Sequence, residues 1–432
     1  MKNILIENVV VNQQNIYGVD FPMGMKALVI GAGGVGRAIA NIASRRKFID
    51  SLIIADRTLA RAEEAVVRLK DPRFAAAQVN ASDLEDLREL IRKAQPDIVI
   101  NAVDPRYVMP IFLACEIENT NYIDMAMSLS RPHPHYPYTE TGVKLGDEQF
   151  ARDWNWGERK IFALVGMGIE PGLSDVFAKY ASDHLFNRID SITVLDGSNL
   201  VVEGYEFAPS FSIWTTIEEC LNPPIVWEDG RGWYTTEPFS ELEIFDFPEG
   251  IGSVECVNVE HEEVVLMPQK IDAKKVNFKY GLGAQFITTL KTIHMLGLDR
   301  KENVDVQGIS VAPRDLLAAS LPDPATLGHR MHGKTCAGVL IKGLNKEGKP
   351  YACYIYNVVD NDWSMQEYGD QAVVWQTAIN PVIAMELISK GIWKPEGVNG
   401  PEWFDAKPFL ELLEQYGTTW KIREESTEGI KP

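Results

Sequence analysis

The sequence predicts a doubly wound α/β domain on a parallel sheet, followed by a second α+β domain built on a mostly antiparallel sheet. Three observations carry that expectation. From Lys26, short and nearly continuous apolar runs alternate with helical segments, the pattern of parallel strands buried on both faces. A glycine-rich turn, Gly31-Ala32-Gly33-Gly34-Val35-Gly36, joins the first run to an amphipathic segment. After about residue 186 the chain turns to Trp, Tyr, Phe and β-branched residues broken by Pro223-Pro224, Gly230-Arg231-Gly232 and Pro248-Glu249-Gly250, as in a strand-rich unit.

Taken in order, the alternating stretch Ile4 to Val11 reads as an edge strand or hairpin ahead of the main fold. The expected parallel strands are the runs at 27–30, 52–55, 75–79, 98–100, 122–123 and 161–165. Between the first two, Val35, Ala38, Ile39, Ile42 and Ala43 fall on one helical stripe that can lie against the sheet. Ser82-Asp83-Leu84-Glu85 reads as a capping box opening a helix through about Lys93, which Pro96 ends. Cys336 to Ile341 and Tyr351 to Val358 flank a Gly/Lys/Asn-rich turn and form an expected hairpin. Helical periodicity returns from Gln371 to Lys390 and from Phe404 to Tyr416, where helices are expected to pack back on the first domain.

Composition narrows the function classes. A chain of 432 residues with 45% hydrophobic and 24% charged residues is folded and long enough for two or three domains. With 42 Lys+Arg against 61 Asp+Glu, the charge of −19 repels phosphate backbones and anionic lipid, so neither nucleic acid nor membrane is an expected partner. No apolar run approaches a bilayer span, and Glu7 comes too early for a secretory signal, so a cytoplasmic protein is expected. Cys115, Cys220, Cys256, Cys336 and Cys353 are odd in number and without a Cys-x-x-Cys pair, which reads as reduced, packed thiols.

The turn after the first strand is Gly-x-Gly-x-x-Gly opening a helix, the fingerprint of a Rossmann-type dinucleotide site. Gly31 allows the tight turn, Gly33 lets the backbone approach a pyrophosphate and Gly36 permits close helix–strand packing. Gly34 and Val35 begin the helix whose free amides attract phosphate. Asp56 ends the second strand, 20 residues after Gly36, where it can accept hydrogen bonds from the adenine-ribose hydroxyls and favour NAD. Arg57 keeps NADP open, because its guanidinium can pair with a 2′-phosphate. Asn101-Ala102-Val103 ends the fourth strand, and its small residues leave room for ribose and nicotinamide.

At Gly166-Met167-Gly168-Ile169-Glu170-Pro171-Gly172-Leu173-Ser174-Asp175 the chain begins to resemble the saccharopine dehydrogenase family. The resemblance runs from about Lys26 to Trp420, through Ala55-Asp56-Arg57-Thr58-Leu59, Pro96 to Asn101, Tyr122 to Ala126, Gly204-Tyr205-Glu206-Phe207-Ala208, Leu321 to Gly328, and Tyr354 to Asp360. Together these are most similar to the family's carboxynorspermidine dehydrogenases. The resemblance implies an NAD(P)-dependent oxidoreductase that joins an aldehyde and an amine as an imine and reduces it, or runs the reverse. Two positions depart from the family: Glu170 stands where Asp precedes Pro-Gly, and Asp56 where a small polar residue is usual. Residues 130–150, with Arg131-Pro132-His133-Pro134-His135-Tyr136-Pro137-Tyr138, are also more elaborate.

For that chemistry the candidate catalytic groups are Glu170 and Asp124, which follow the sixth and fifth strands. Their plainer readings are a loop carboxylate bonded to amides and a helix cap. Arg330 and Lys334 match the family pattern as substrate-carboxylate anchors, against surface charge, and Tyr205 and Phe207 as a pocket floor, against sheet core. His332 is an alternative proton carrier. His133 and His135 make half a metal site, and no metal is expected. The expected domains are 1–185 for dinucleotide, 186–364 for substrate binding and homodimerisation, and 365–432 as a helical segment packing back. Two other functions stay open: an amino-acid dehydrogenase such as a lysine 6-dehydrogenase, which Asp56 favours, and a non-catalytic NAD(H)-binding sensor.

Overall fold

The computed structural model describes residues 24–431, so the stretch Ile4 to Val11 lies outside the described residues. The first sheet holds β1 (Met25–Ile30), β2 (Ile49–Asp56), β3 (Phe74–Gln78), β4 (Ile98–Asn101), β5 (Asn121–Asp124) and β6 (Phe162–Leu164). Its order is Gly397–Asn399, β6, β5, β4, β1, β2, β3, and every pair is parallel. Each expected apolar run is therefore a strand, because apolar residues on both faces are buried when helices cover both sides. The strand order reverses between β1 and β4, which opens a crevice at the carboxyl edge of the sheet.

The covering helices begin with α1 (Gly34–Ser44), whose Ala38, Ile39, Ile42 and Ala43 are buried, and α2 (Leu59–Leu69). The next helix, α3 (Leu84–Ala94), starts differently from the expected capping box. Asp83 is its cap, accepting from the amides of Glu85 and Asp86, while Ser82 Oγ turns to Asn80 at 2.8 Å. A carboxylate is the better partner for the positive end of a helix, and it displaces the serine. After α4 (Val108–Glu118), the His/Pro-rich loop is closed by mutual backbone hydrogen bonds between Arg131 and Val143. The short helices α5 (Asp147–Phe150) and α6 (Asp153–Glu158) follow, and α7 (Leu173–His184) leads out of the first sheet.

The second sheet is built around β7 (Phe186–Ser198), which pairs antiparallel with Lys334–Asn345 and parallel with Lys275–Gly281. Lys334–Asn345 and Pro350–Asp360 form the expected hairpin. The remaining pairings are antiparallel, giving nine strands among the described residues.

The C-terminal segment is less purely helical than its periodicity suggested. Helix Ala372–Ser389 packs along α1, but Gly397–Asn399 joins the first sheet and Trp420–Glu424 the second, so this segment stitches the two together. That helix is also long and apolar enough, by composition, to cross a membrane, contrary to the sequence expectation. It is 83% buried within the protein, as a core helix is.

Candidate active site

The glycine-rich turn has the geometry its spacing requires. Gly31 sits at φ +111°, and a Cβ on Gly36 would lie 1.9 Å from the Gly31 carbonyl oxygen, so only glycine lets α1 pack this close. A Cβ on Gly33 would meet no heavy atom within 4 Å, which leaves open the space above the helix start where a pyrophosphate fits. Asp56 Oδ2 accepts from the Ala32 amide at 2.9 Å and Oδ1 from the Thr58 amide at 2.8 Å, while Arg57 is exposed beside it. Asn101 is buried, donating to the Tyr122 hydroxyl at 2.9 Å and accepting from the Val103 amide, which fixes the end of β4. These residues suit a dinucleotide running along the carboxyl edge of the sheet.

From Gly34, Val35, Asn101, Ala102 and Val103 a cavity of about 310 Å³ extends toward the second sheet. Its wall carries the carboxylates of Asp104, Glu170, Asp196, Glu219, Glu262 and Asp323 and the imidazole of His261, with no Lys or Arg among the described residues lining it. Neither carboxylate oxygen of Glu170 has an N–H or O–H donor among the described residues. Its charged neighbour is Asp196 of β7, on the same cavity wall. Burial first and the charge of Asp196 second push Glu170 well above the usual carboxylate range. Burial likewise raises Asp196 to about 7 and Glu219 to about 8. Glu262 is held in place by the Met127 amide at 3.1 Å.

Of the residues expected from the sequence, the glycine turn, Asn101, Ala102, Val103 and Glu170 converge on this cavity and on the crevice leading to it. The other candidates do not line the cavity. Asp124 is buried beneath the site, where Gln149 Nε2 and the Gly166 amide donate to it at 2.8 and 2.7 Å, and burial raises it to about 7. There it anchors the loop that carries Glu170, and the elaborate 130–150 segment supplies Gln149. Tyr205 is 40% exposed, and Phe207 packs on Phe286 with ring centroids 5.0 Å apart. Arg330 is exposed, and Lys334 Nζ donates to the Glu249 carbonyl at 3.2 Å. His332 is an exposed residue, with Nδ1 3.0 Å from Asp362. His133 accepts the amide of Tyr136 and stacks on that ring, so it closes a turn.

Sequence reasoning missed Asp196, Glu219, His261 and Glu262. A signal existed for Asp196, an acid that directly follows the strand-like run Ile192 to Leu195 and precedes Gly197. The run Glu260-His261-Glu262-Glu263, wholly buried, reads by composition as solvated surface.

Residues 27–164 match the Saccharopine dehydrogenase NADP binding domain and residues 168–418 the Saccharopine dehydrogenase C-terminal domain. The chain is 32% identical over 416 residues to the carboxynorspermidine synthase of Vibrio alginolyticus, covering 93% of this chain and 97% of that one. It is 28% identical over 402 residues to the carboxyaminopropylagmatine dehydrogenase of Synechocystis sp., covering 91% and 96%. In fold it is similar to the apo saccharopine dehydrogenase (L-Glu forming) of Saccharomyces cerevisiae, with a TM-score of 0.65 at 15% identity, covering 93% of this chain and 100% of that one.

Proposed function

This chain belongs to the saccharopine dehydrogenase family of NAD(P)-binding oxidoreductases, and from that premise we propose that it reduces the imine formed between a carboxylate-bearing aldehyde and a diamine-type amine. One observation carries the reading: six carboxylates and no Lys or Arg line the cavity beside the dinucleotide crevice. Burial holds Glu170, Asp196 and Glu219 above the usual carboxylate range, so an entering ammonium is stabilised by drawing them into their ionised form. An amine partner that is itself a dicarboxylate, as a saccharopine-like product would need, gains nothing from them. The names of the two relatives point the same way, toward carboxylated polyamines. Asp56 supports NAD over NADP, because its carboxylate would meet a 2′-phosphate at close range.

A nicotinamide bound in the crevice supplies or accepts the hydride. The chain's own residues do the rest. Glu170 and Asp196 hold the entering ammonium and take its proton, which frees the nitrogen lone pair for attack on the aldehyde. The same pair returns a proton to the secondary amine after reduction. The hydroxyls of Ser198, Ser212 and Thr335 on the wall are donors for the aldehyde's carboxylate, a role the sequence had given to Arg330 and Lys334.

The test follows absorbance of the reduced cofactor. Aldehyde plus diamine should drive its oxidation, and lysine alone with NAD should drive little reduction. Glu170→Gln should lower kcat by ~10²–10⁴-fold with cofactor binding intact. Cofactor reduction by lysine alone, with no turnover of any aldehyde–amine pair, would replace this reading with an amino-acid dehydrogenase.

A further inference from the structure

His261 follows strand Gly252–Asn258 and lies flat against Phe278, with ring centroids 3.9 Å apart and planes 8° from parallel. Its Nδ1 is 2.6 Å from Glu263 Oε2, and Glu262 Oε2 is 3.4 Å from the same nitrogen. Glu263 is fully buried, and its other oxygen accepts from Ser174 Oγ of α7 at 3.0 Å. Ring face and Nδ1 are thus both fixed. Nε2 has no hydrogen-bond partner among the described residues, and His261 lines the cavity that holds Glu170 and Asp196.

Resting on the reading above, we propose that His261, oriented by Glu263 and Ser174, is the general acid that expels water when the aldehyde and amine condense. In the carbinolamine the C–O bond breaks, and its oxygen takes the proton from Nε2 and leaves as water. The nitrogen lone pair forms the C=N bond, and the imidazole is left neutral. Hydride then reaches the carbon through the family's established chemistry, and the ring regains its proton from water after product leaves.

The groups facing His261 keep it charged for this step. They are Glu262 and Glu263 on its own segment, Glu219 on helix Ile213–Leu221, Asp196 on β7 and Asp175 on α7. Burial alone would lower its pKa, but Glu263, Glu262 and Glu219 raise it to about 10. The ring therefore enters the reaction protonated across the neutral range.

The experiment uses the full chain with saturating reduced cofactor, a carboxylated aldehyde and a diamine. His261→Ala should lower kcat by ~10²–10⁴-fold. The amine KM and fluorescence-titrated cofactor binding should stay within a few-fold, and added imidazole, entering the space left by the ring, should restore turnover with its concentration. Glu263→Gln keeps the ring but removes the carboxylate that raises its pKa, so the alkaline fall of kcat should move to lower pH. A His261→Ala enzyme within tenfold of wild type would overturn the proposal. So would a loss confined to KM with no response to imidazole, or an unmoved alkaline limb in Glu263→Gln. Wild type inactive with every aldehyde–amine pair would instead overturn the substrate reading on which this rests.

Discussion

Asp56 Oδ2 accepts a hydrogen bond from the Ala32 amide at 2.9 Å, which ties the end of β2 to the glycine-rich turn. The carboxylate proposed to favour NAD therefore also shapes the glycine-rich turn. Asp56→Ser shortens the side chain and removes its charge. The ratio of kcat/KM for NADH to that for NADPH should fall at least ~10-fold, about 1.4 kcal/mol, with Arg57 supplying the new phosphate contact. A wild type that already prefers NADPH strongly would contradict this.

Two glycines of the same turn should separate folding from binding. Gly36→Ala drives a Cβ to 1.9 Å from the Gly31 carbonyl, so it should cost about 1–3 kcal/mol in urea unfolding and abolish cofactor binding. Gly33→Ala meets open space at φ −71°, which alanine adopts freely. Its melting temperature without cofactor should match wild type, while the stabilisation added by NADH should shrink.

The C-terminal segment is held by a partly buried ion pair. Glu386, 7% exposed, accepts from Arg46 Nε and Nη2 at 2.9 and 3.0 Å, from Lys390 Nζ at 2.6 Å and from the Tyr416 hydroxyl at 2.7 Å. Burial pushes its pKa up, but these partners outweigh it and hold the group below its ordinary 4.5. Glu386→Ala should cost about 1–3 kcal/mol at pH 7, because it leaves the Tyr416 hydroxyl and the partly buried Arg46 charge without their acceptor. A lowered carboxylate pKa gives stability that is present above the unfolded value and lost as pH falls through the folded one. The gap between wild type and variant should therefore narrow below pH 4.5.

A homodimer through the second sheet has a physical seat in strand Glu243–Phe247. It pairs only with Gly252–Asn258 among the described residues, and Leu242 and Ile244 beside its free edge are 59% and 68% exposed. An apolar free edge is a pairing surface. Light scattering should give twice the 48.4 kDa monomer mass, and Ile244→Lys should return the monomer. A wild-type monomer at micromolar concentration would contradict it.

What the sequence made legible is what local rules govern. Parallel strands, the glycine turn and Asp56 are each decided within a few residues by burial, backbone freedom or strand-end position. Glu170 was legible because cavity and sheet edge share the loop after β6. The rest of the site is assembled from chain far apart in sequence: Asp196, Glu219 and His261 come from three elements of the second sheet region. No periodicity announces that buried acids will face one another. Arg330 and Lys334 look like anchors by residue type, yet Lys334 turns to the Glu249 carbonyl, a contact set by tertiary packing.

Selection of a cationic amine by the carboxylate-lined cavity is read directly from kcat/KM for diamines against glutamate, with one carboxylated aldehyde and one reduced cofactor. Diamines should lead by ~100-fold or more, about 2.7 kcal/mol or more of discrimination, and Glu170→Gln should narrow that ratio. A preference for glutamate would mean that the cavity does not select for a cationic amine.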